Sequence, residues 1–245
     1  MRQRLDQLMV VRGLTKTRAR ARDLILRGEV CVESKVAIKA GLMVDETSDV
    51  RVSSGANRYV ARSGLKLEAA LKKFGLPVEG RVVLDIGAST GGFSQVLLEH
   101  GARLVYCVDV GHGQLNGDIS TDPRVCDMSG VDARSLSVGD FAEPVCAITA
   151  DVSFISLRKA LPEALRLARP GSWIVALVKP QFELTPEALG KGGIVRDECD
   201  RRQAIVDVCD FLQRSDWRVE GTMPSPLPGK RGNIEHLVVA HLCGD

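Results

Sequence analysis

Beyond residue 59 the chain alternates short apolar runs with longer stretches whose apolar residues return every three or four positions. Runs at 82–86, 104–109, 145–150, 173–178, 217–222 and 235–242 have strand length, and 62–74, 92–100, 156–168 and 198–214 have helical periodicity. Strands interleaved with helices predict an α/β fold on a mostly parallel, doubly wound sheet. The head of the chain is patterned differently. "RLDQLMVVRGL" spaces Leu5, Leu8, Met9 and Val11 as one helix and stops at Gly13. A second helix, "KTRARARDLILRG", is expected to be capped by Thr15, to end at Gly28 and to bury Ala21, Leu24 and Ile25. Val30/Val32 and Val36/Ile38 then alternate as short strands would. The small, polar stretch "SSGANR" reads as a linker, which divides the chain into 1–52, a linker at 53–58, and 59–245.

Charge sharpens that division. Residues 1–39 carry a net charge of +6 and the remaining 206 about −4, although the whole chain sums to only +2. A basic head on a mildly acidic body suggests a polyanion-binding module joined to something else. Arg2, Arg4, Lys16, Arg18, Arg20, Arg22 and Arg27 are its candidate contacts, the last five flanking the core face of the second helix.

Composition removes several classes. Hydrophobic residues make up 44% and charged residues 26% of the 245, ordinary for a globular protein with a real core. No apolar stretch approaches the roughly 20 residues of a membrane span, and "MRQRLDQLMV" lacks the apolar run of a signal peptide. Seven scattered cysteines without a C-x-x-C pair point to reduced thiols and not to a disulfide frame or a zinc site. A cytoplasmic protein with no bound metal, no membrane partner and no obligate protein partner is therefore expected.

The chemistry concentrates in "LDIGASTGGFSQVLLEHG", residues 84–101, where a strand meets a loop of small residues and then a helix. No Gly-Lys-Ser/Thr follows, so it is not a phosphate-binding Walker loop. Gly87 and the Gly91-Gly92 pair are also too far apart for the dinucleotide fingerprint G-x-G-x-x-G. The D-x-G-x-x-x-G-G spacing looks instead like the nucleoside-binding first motif of S-adenosylmethionine-dependent methyltransferases. That reading makes Asp85, Gly87, Ser89, Thr90, Gly91, Gly92 and Phe93 donor-binding residues, with a carboxylate near the donor's ammonium group. Asp109, 22 residues beyond Gly87 at the tip of the next strand, would accept the ribose hydroxyls, with Val110 beside it. Asp132 is placed to accept from an adenine amino group, although a lone loop aspartate also serves as a turn residue.

Two later strands end in polar residues, Asp151 after "CAITA" and Lys179 after "SWIVALV", and Glu235 opens the last one. Lys66 lies beside the Leu67/Leu71/Phe74 face of the helix before the first strand. Lys66, Asp151, Lys179 and Glu235, in that order on those elements, resemble the catalytic tetrad of FtsJ-like ribose 2′-O-methyltransferases.

The resemblance extends over nearly the whole chain. "RLDQLMVVRGLTKTRARARDLILRGEVCV" resembles the alpha-L RNA-binding domain, departing from it at "VESKV", where an Asn-Gly turn is common. "YVARSGLKL", "DIGASTGGFS", "DVGHGQL", "DVSFISL", "LVKPQFE", "GKGGIVRD" and "GNIEHL" together look like the hemolysin A, or TlyA, family. What this implies is a small N-terminal α+β RNA-binding domain and a Rossmann-like methyltransferase domain with a seven-stranded sheet, mostly parallel, whose last strand is antiparallel. It also implies 2′-O-methylation of cytidine in 16S or 23S ribosomal RNA, with S-adenosylmethionine as donor and ribosomal RNA or ribosomal subunits as partner. Lys179 would then act as general base if neutral, or stabilise the developing alkoxide if charged. Two other readings stay open: an RNA-binding protein with an inert methyltransferase fold, and a membrane-active hemolysin. The glycine-rich "LGKGGIVRD", 189–197, is either a loop that orders on RNA or a plain connector.

Overall fold

A computed structural model describes residues 1–26, 28–53, 58–229 and 232–244. Arg27 and most of the expected linker lie outside the described residues. Contacts divide the chain into two compact units, Met1–Tyr59 and Val60–Asp245.

The first unit consists of β1 (Arg2–Arg4), α1 (Leu5–Val11), α2 (Arg18–Leu26), β2 (Val30–Val32), β3 (Lys35–Val36), β4 (Met43–Asp45) and β5 (Val50–Val52). Leu5, Leu8 and Met9 of α1 pack on Ala21, Leu24 and Ile25 of α2, all at most 1% exposed, as their periodicity requires. The start of α2 differs from expectation: Thr17, and not Thr15, accepts the Arg20 N–H at 3.2 Å, because Thr15 turns its hydroxyl to the Thr17 carbonyl. The "VESKV" departure also proves harmless. Glu33 and Ser34 both take positive φ, 48° and 64°, so the two-residue turn keeps its left-handed geometry without glycine. Two bonds to Asp49 hold that turn: the Glu33 N–H donates to its carbonyl, and the Glu33 carboxylate accepts its N–H.

The second unit runs α3 (Gly64–Phe74), β6 (Val82–Ile86), α4 (Gly92–Glu99), β7 (Leu104–Asp109), α5 (Gly117–Ser120), β8 (Val125–Ser129), β9 (Val145–Ala150), α6 (Leu157–Ala160), α7 (Pro162–Arg166), β10 (Ala168–Val178), α8 (Pro180–Glu183), α9 (Glu198–Arg214), β11 (Trp217–Pro224) and β12 (His236–Leu242). Among the described residues its sheet has seven strands in the order β11-β12-β10-β9-β6-β7-β8. Pairs from β10 to β8 are parallel, whereas β12 is antiparallel to both β10 and β11. The Rossmann-like sheet with an antiparallel last strand is therefore as expected.

Two expectations need correction. The helix at 156–168 is broken into α6 and α7, since Pro162 has no N–H to continue the first segment and starts the second instead. Strand β8 carries no continuous apolar run, because Val125–Ser129 is an edge strand with no residue fully buried. Central strands β6 and β9 are buried along their whole length, so the polar residues that follow them are held on a rigid base.

Candidate active site

Parallel strands β6, β9 and β10 open their carboxyl ends onto one cleft of about 430 Å3. Lys66, Asp151, Lys179 and Glu235 all line it, together with Gly87, Ala88, Ser89, Thr90 and Phe93 of the turn after β6. Residues separated by up to 169 positions thus meet on one surface. The volume suits a small-molecule site.

The four charged groups form two ion pairs. Lys66, on the first turn of α3, bonds the Glu235 carboxylate, and the two residues are 5% and 3% exposed. The ammonium of Lys179 lies 2.7 Å from Asp151 Oδ1 and donates to Ser153 Oγ at 2.8 Å. Charge this deep persists only when paired, because removing an ion from water costs several kcal/mol. As pairs the four groups sum to zero, with two ammonium groups fixed in the cleft wall.

Glycine is demanded at two points here by close approach. A Cβ on Gly87 would lie 2.6 Å from the Asp151 carbonyl oxygen, so the turn after β6 can rest directly on the end of β9. A Cβ on Gly229 would lie 2.0 Å from a Glu235 carboxylate oxygen. Both would push a tetrad residue out of place.

The remaining expected donor residues divide. Asp109 ends β7 with each carboxylate oxygen accepting one backbone N–H, from Ser89 at 2.9 Å and Gly111 at 2.8 Å, and keeps lone pairs for hydroxyl donors. Val110 beside it is 67% exposed. Gln114 accepts the Ser89 hydroxyl at 3.1 Å, and its amide crosses Gly111 where a Cβ would be.

Asp85 is a correction. It is completely buried beneath the turn and accepts hydroxyl hydrogens from Ser94 at 2.6 Å and Thr149 at 2.8 Å, so it ties α4 and β9 to β6 and does not face the cleft. Burial raises its pKa to about 6 against those two hydrogen bonds. Asp132 serves as a capping residue, one of the two readings of it: it accepts the Arg134 N–H at 2.9 Å and pairs with that guanidinium at 2.6 Å. Neither Gly91 nor Gly92 lines the cleft. Gly91 caps α4 at φ 89° against Leu115 and Ile119, and Gly92 packs on Ala61 and Ser63.

In the first unit, Arg2 donates to the Met43 carbonyl at 3.1 Å, while Lys16 and Arg22 are exposed. Arg20 departs from expectation: its side chain is 17% exposed and bonds the Tyr59 carbonyl at 3.0 Å, so its guanidinium is committed within the protein.

Three residues at the cleft had no assigned role in the sequence. Phe154 is 89% exposed, holds a φ of 67° and sits 5.3 Å from the ring of Phe182. Its signal was an aromatic three residues past Asp151, inside a motif already noted. Ser153 stands in the same motif. Asn233 is 3% exposed, accepts the Val195 N–H and donates to the Gly193 carbonyl, both at 3.0 Å, so it pins the glycine-rich segment beside Glu235. Only the fold makes those neighbours.

Comparison with known proteins agrees with this arrangement. The FtsJ-like methyltransferase pattern matches residues 59–242 and the S4 domain pattern residues 3–50. The 16S/23S rRNA (cytidine-2′-O)-methyltransferase TlyA of Mycobacterium tuberculosis is 40% identical over 97% of this chain and 89% of its own. Hemolysin A of Brachyspira hyodysenteriae is 37% identical over 96% and 98%. Among solved structures, a candidate hemolysin from Streptococcus thermophilus superposes with a TM-score of 0.79 at 38% identity, covering 100% of this chain and 90% of that one. An S-adenosylmethionine-dependent methyltransferase from Aquifex aeolicus shares the fold at 22% identity and a TM-score of 0.50, over 74% of this chain and 94% of its own. The chain belongs to the FtsJ-like methyltransferase family, in the TlyA or hemolysin A group, with an S4 domain ahead of the methyltransferase domain.

Proposed function

We propose that this chain methylates the ribose 2′-hydroxyl of cytidine in 16S or 23S ribosomal RNA, using S-adenosylmethionine. The observation that carries the reading is the meeting of two lysine–carboxylate pairs beside the glycine turn in one cleft. The cytidine-2′-O specificity of the mycobacterial relative, at 40% identity over nearly the whole chain, supports the substrate. Residues 1–52 are read as the RNA-binding domain, 53–58 as a linker and 59–245 as the methyltransferase domain. Among the described residues no helix is long and apolar enough to cross a membrane, and we place the protein in the cytoplasm, acting on ribosomal subunits.

The cleft suits a cationic nucleoside donor. Its turn bears no Lys or Arg, and the Asp109 carboxylate, bonded to the Ser89 N–H of that turn, would repel a pyrophosphate. Backbone at 87–90 and the Phe93 ring would hold the donor, with Asp109 accepting from its ribose hydroxyls. When bound, S-adenosylmethionine supplies a methyl carbon made electrophilic by its positive sulfur. All else is the work of the chain. Lys179, fixed by Asp151 and Ser153, holds the 2′-oxygen and stabilises the negative charge that builds there as the hydroxyl proton passes to solvent. Lys66, fixed by Glu235, orients the same hydroxyl, since alignment matters as much as proton removal. Phe154 presents its ring at the rim, where an unstacked base can lie against it.

Labelled methyl transfer onto free subunits and intact ribosomes, with the modified nucleotide mapped, tests the assignment; a label on a base atom would refute it. Lys179→Ala should lower turnover at least 100-fold, within the range of one acid–base or charge-stabilising group, while donor affinity by calorimetry holds. Lys179→Arg separates the two roles, because arginine keeps the charge and cannot act as base. Measurable turnover in that variant supports charge stabilisation; none supports the base. Phe154→Ala should raise the KM for RNA about tenfold, the worth of one stacked base, without changing donor binding.

A further inference from the structure

The Asp of "RLD" has no part in the chemistry above, yet it is the most deeply buried charge in the RNA-binding unit. Asp6 is 0% exposed, on the first turn of α1. Its carboxylate accepts two hydrogen bonds from the Arg4 guanidinium, at 3.0 and 3.1 Å, and one from Arg18 at 3.2 Å. The guanidinium of Arg4 also rests against Gly41, where an added Cβ would lie 3.0 Å away. Both arginines nonetheless remain about half exposed, with side-chain exposures of 43% and 54%. Arg4 precedes α1 and Arg18 opens α2, so one buried anion draws together two cations from separate elements. A guanidinium has five N–H donors, and the carboxylate uses two of Arg4's and one of Arg18's. The other donors stay available on neighbouring, pre-oriented forks that match a phosphate.

We propose that Asp6 is a positioning residue for RNA: it fixes Arg4 and Arg18 side by side as one receptor for a backbone phosphate. Two guanidinium groups that close would otherwise repel each other and scatter through many rotamers. The buried carboxylate removes both costs before RNA arrives, as preorganisation does for any ligand. Its charge is secure at neutral pH, because the two arginines hold its pKa below the usual carboxylate value. The inference rests on the RNA-binding reading of this unit.

A sign test separates positioning from simple attraction. Asp6→Asn adds one unit of positive charge to the RNA-binding unit, so attraction alone predicts tighter binding to a polyanion. Positioning predicts the reverse. With the full chain and purified 23S ribosomal RNA, Arg18→Ala and Asp6→Asn should each weaken binding about tenfold, the value of one charge-assisted bond. Each should also flatten the salt dependence by about one ion. Binding by Asp6→Asn that is unchanged or tighter, with Arg18→Ala weakened, overturns the proposal and leaves the RNA reading intact. Arg4→Ala and Arg18→Ala that both bind like wild type overturn the reading itself. Should Asp6→Asn not fold, the two exposed arginines decide: as one receptor, their double variant loses less than the product of the single losses, and multiplicative losses overturn the proposal.

Discussion

Asp6 in the S4 unit and Asp85 in the methyltransferase unit are both at 0% exposure, and both accept hydrogen bonds from two neighbouring side chains. Asp6 faces two guanidinium groups and its pKa falls; Asp85 faces two hydroxyls and burial lifts its own to about 6. Hydroxyl donors offset only part of the cost of removing an anion from water, whereas a positive partner reverses it. The two units therefore use buried carboxylates for different ends. In the S4 unit the anion organises cations whose outer edges stay wet. In the methyltransferase unit Asp85 locks a turn, and the paired carboxylates Asp151 and Glu235 hold two lysines in place against the cleft.

That contrast can be broken most severely at Glu235. Glu235→Ala leaves Lys66 buried without its partner and should cost about 3–5 kcal/mol in urea unfolding. Lys66→Met with Glu235→Leu should recover most of that stability and remain inactive, showing that the pair exists for chemistry and not for the fold. A stability loss unrelieved in the double variant would argue the opposite.

A smaller effect is expected at Asp85. Its folded-state value is raised, from 3.8 to about 6, so its favourable contribution is full below pH 4 and is lost as pH rises through 6. Asp85→Asn should flatten stability across that window by up to about 3 kcal/mol, read from urea midpoints against pH. Asp6 has the opposite sign: its contribution is present above its unfolded value and is lost as pH falls through the lower folded one. Asp6→Asn should accordingly remove part of the acid-side loss. The smallest effect belongs to the exposed pair Arg103–Glu143, where Arg103→Ala should leave the melting temperature unmoved.

The elements that sequence reading located share one trait, a strong local signal. Helix α9 has its expected bounds because Asp197 caps it and its apolar face repeats over 17 residues. Strand β8 escaped notice because an edge strand need not be apolar, and the interruption at Pro162 because periodicity on both sides continued through it. At the site, Asp151, Lys179 and Glu235 were legible through their position at strand ends, and Lys66 through its place beside the apolar face of α3. The misplacements of Asp85 and Arg20 have one cause. Each was read by residue type and spacing, and a carboxylate or guanidinium looks the same in sequence whether it meets ligand, solvent or its own protein.

Pattern along the chain determined the kinds of elements, their order, the division into a basic head and an α/β body, and the loop that demands glycine. These follow from local sterics and from periodic burial, both written in neighbouring residues. The tertiary structure alone decided which charges neutralise which. Lys66 meets Glu235 across 169 positions, and Asn233 meets the glycine-rich segment from the far side of two elements. Such pairings depend on strand order and on which polar groups are left facing one another once the apolar faces are satisfied. No short stretch of sequence carries that information.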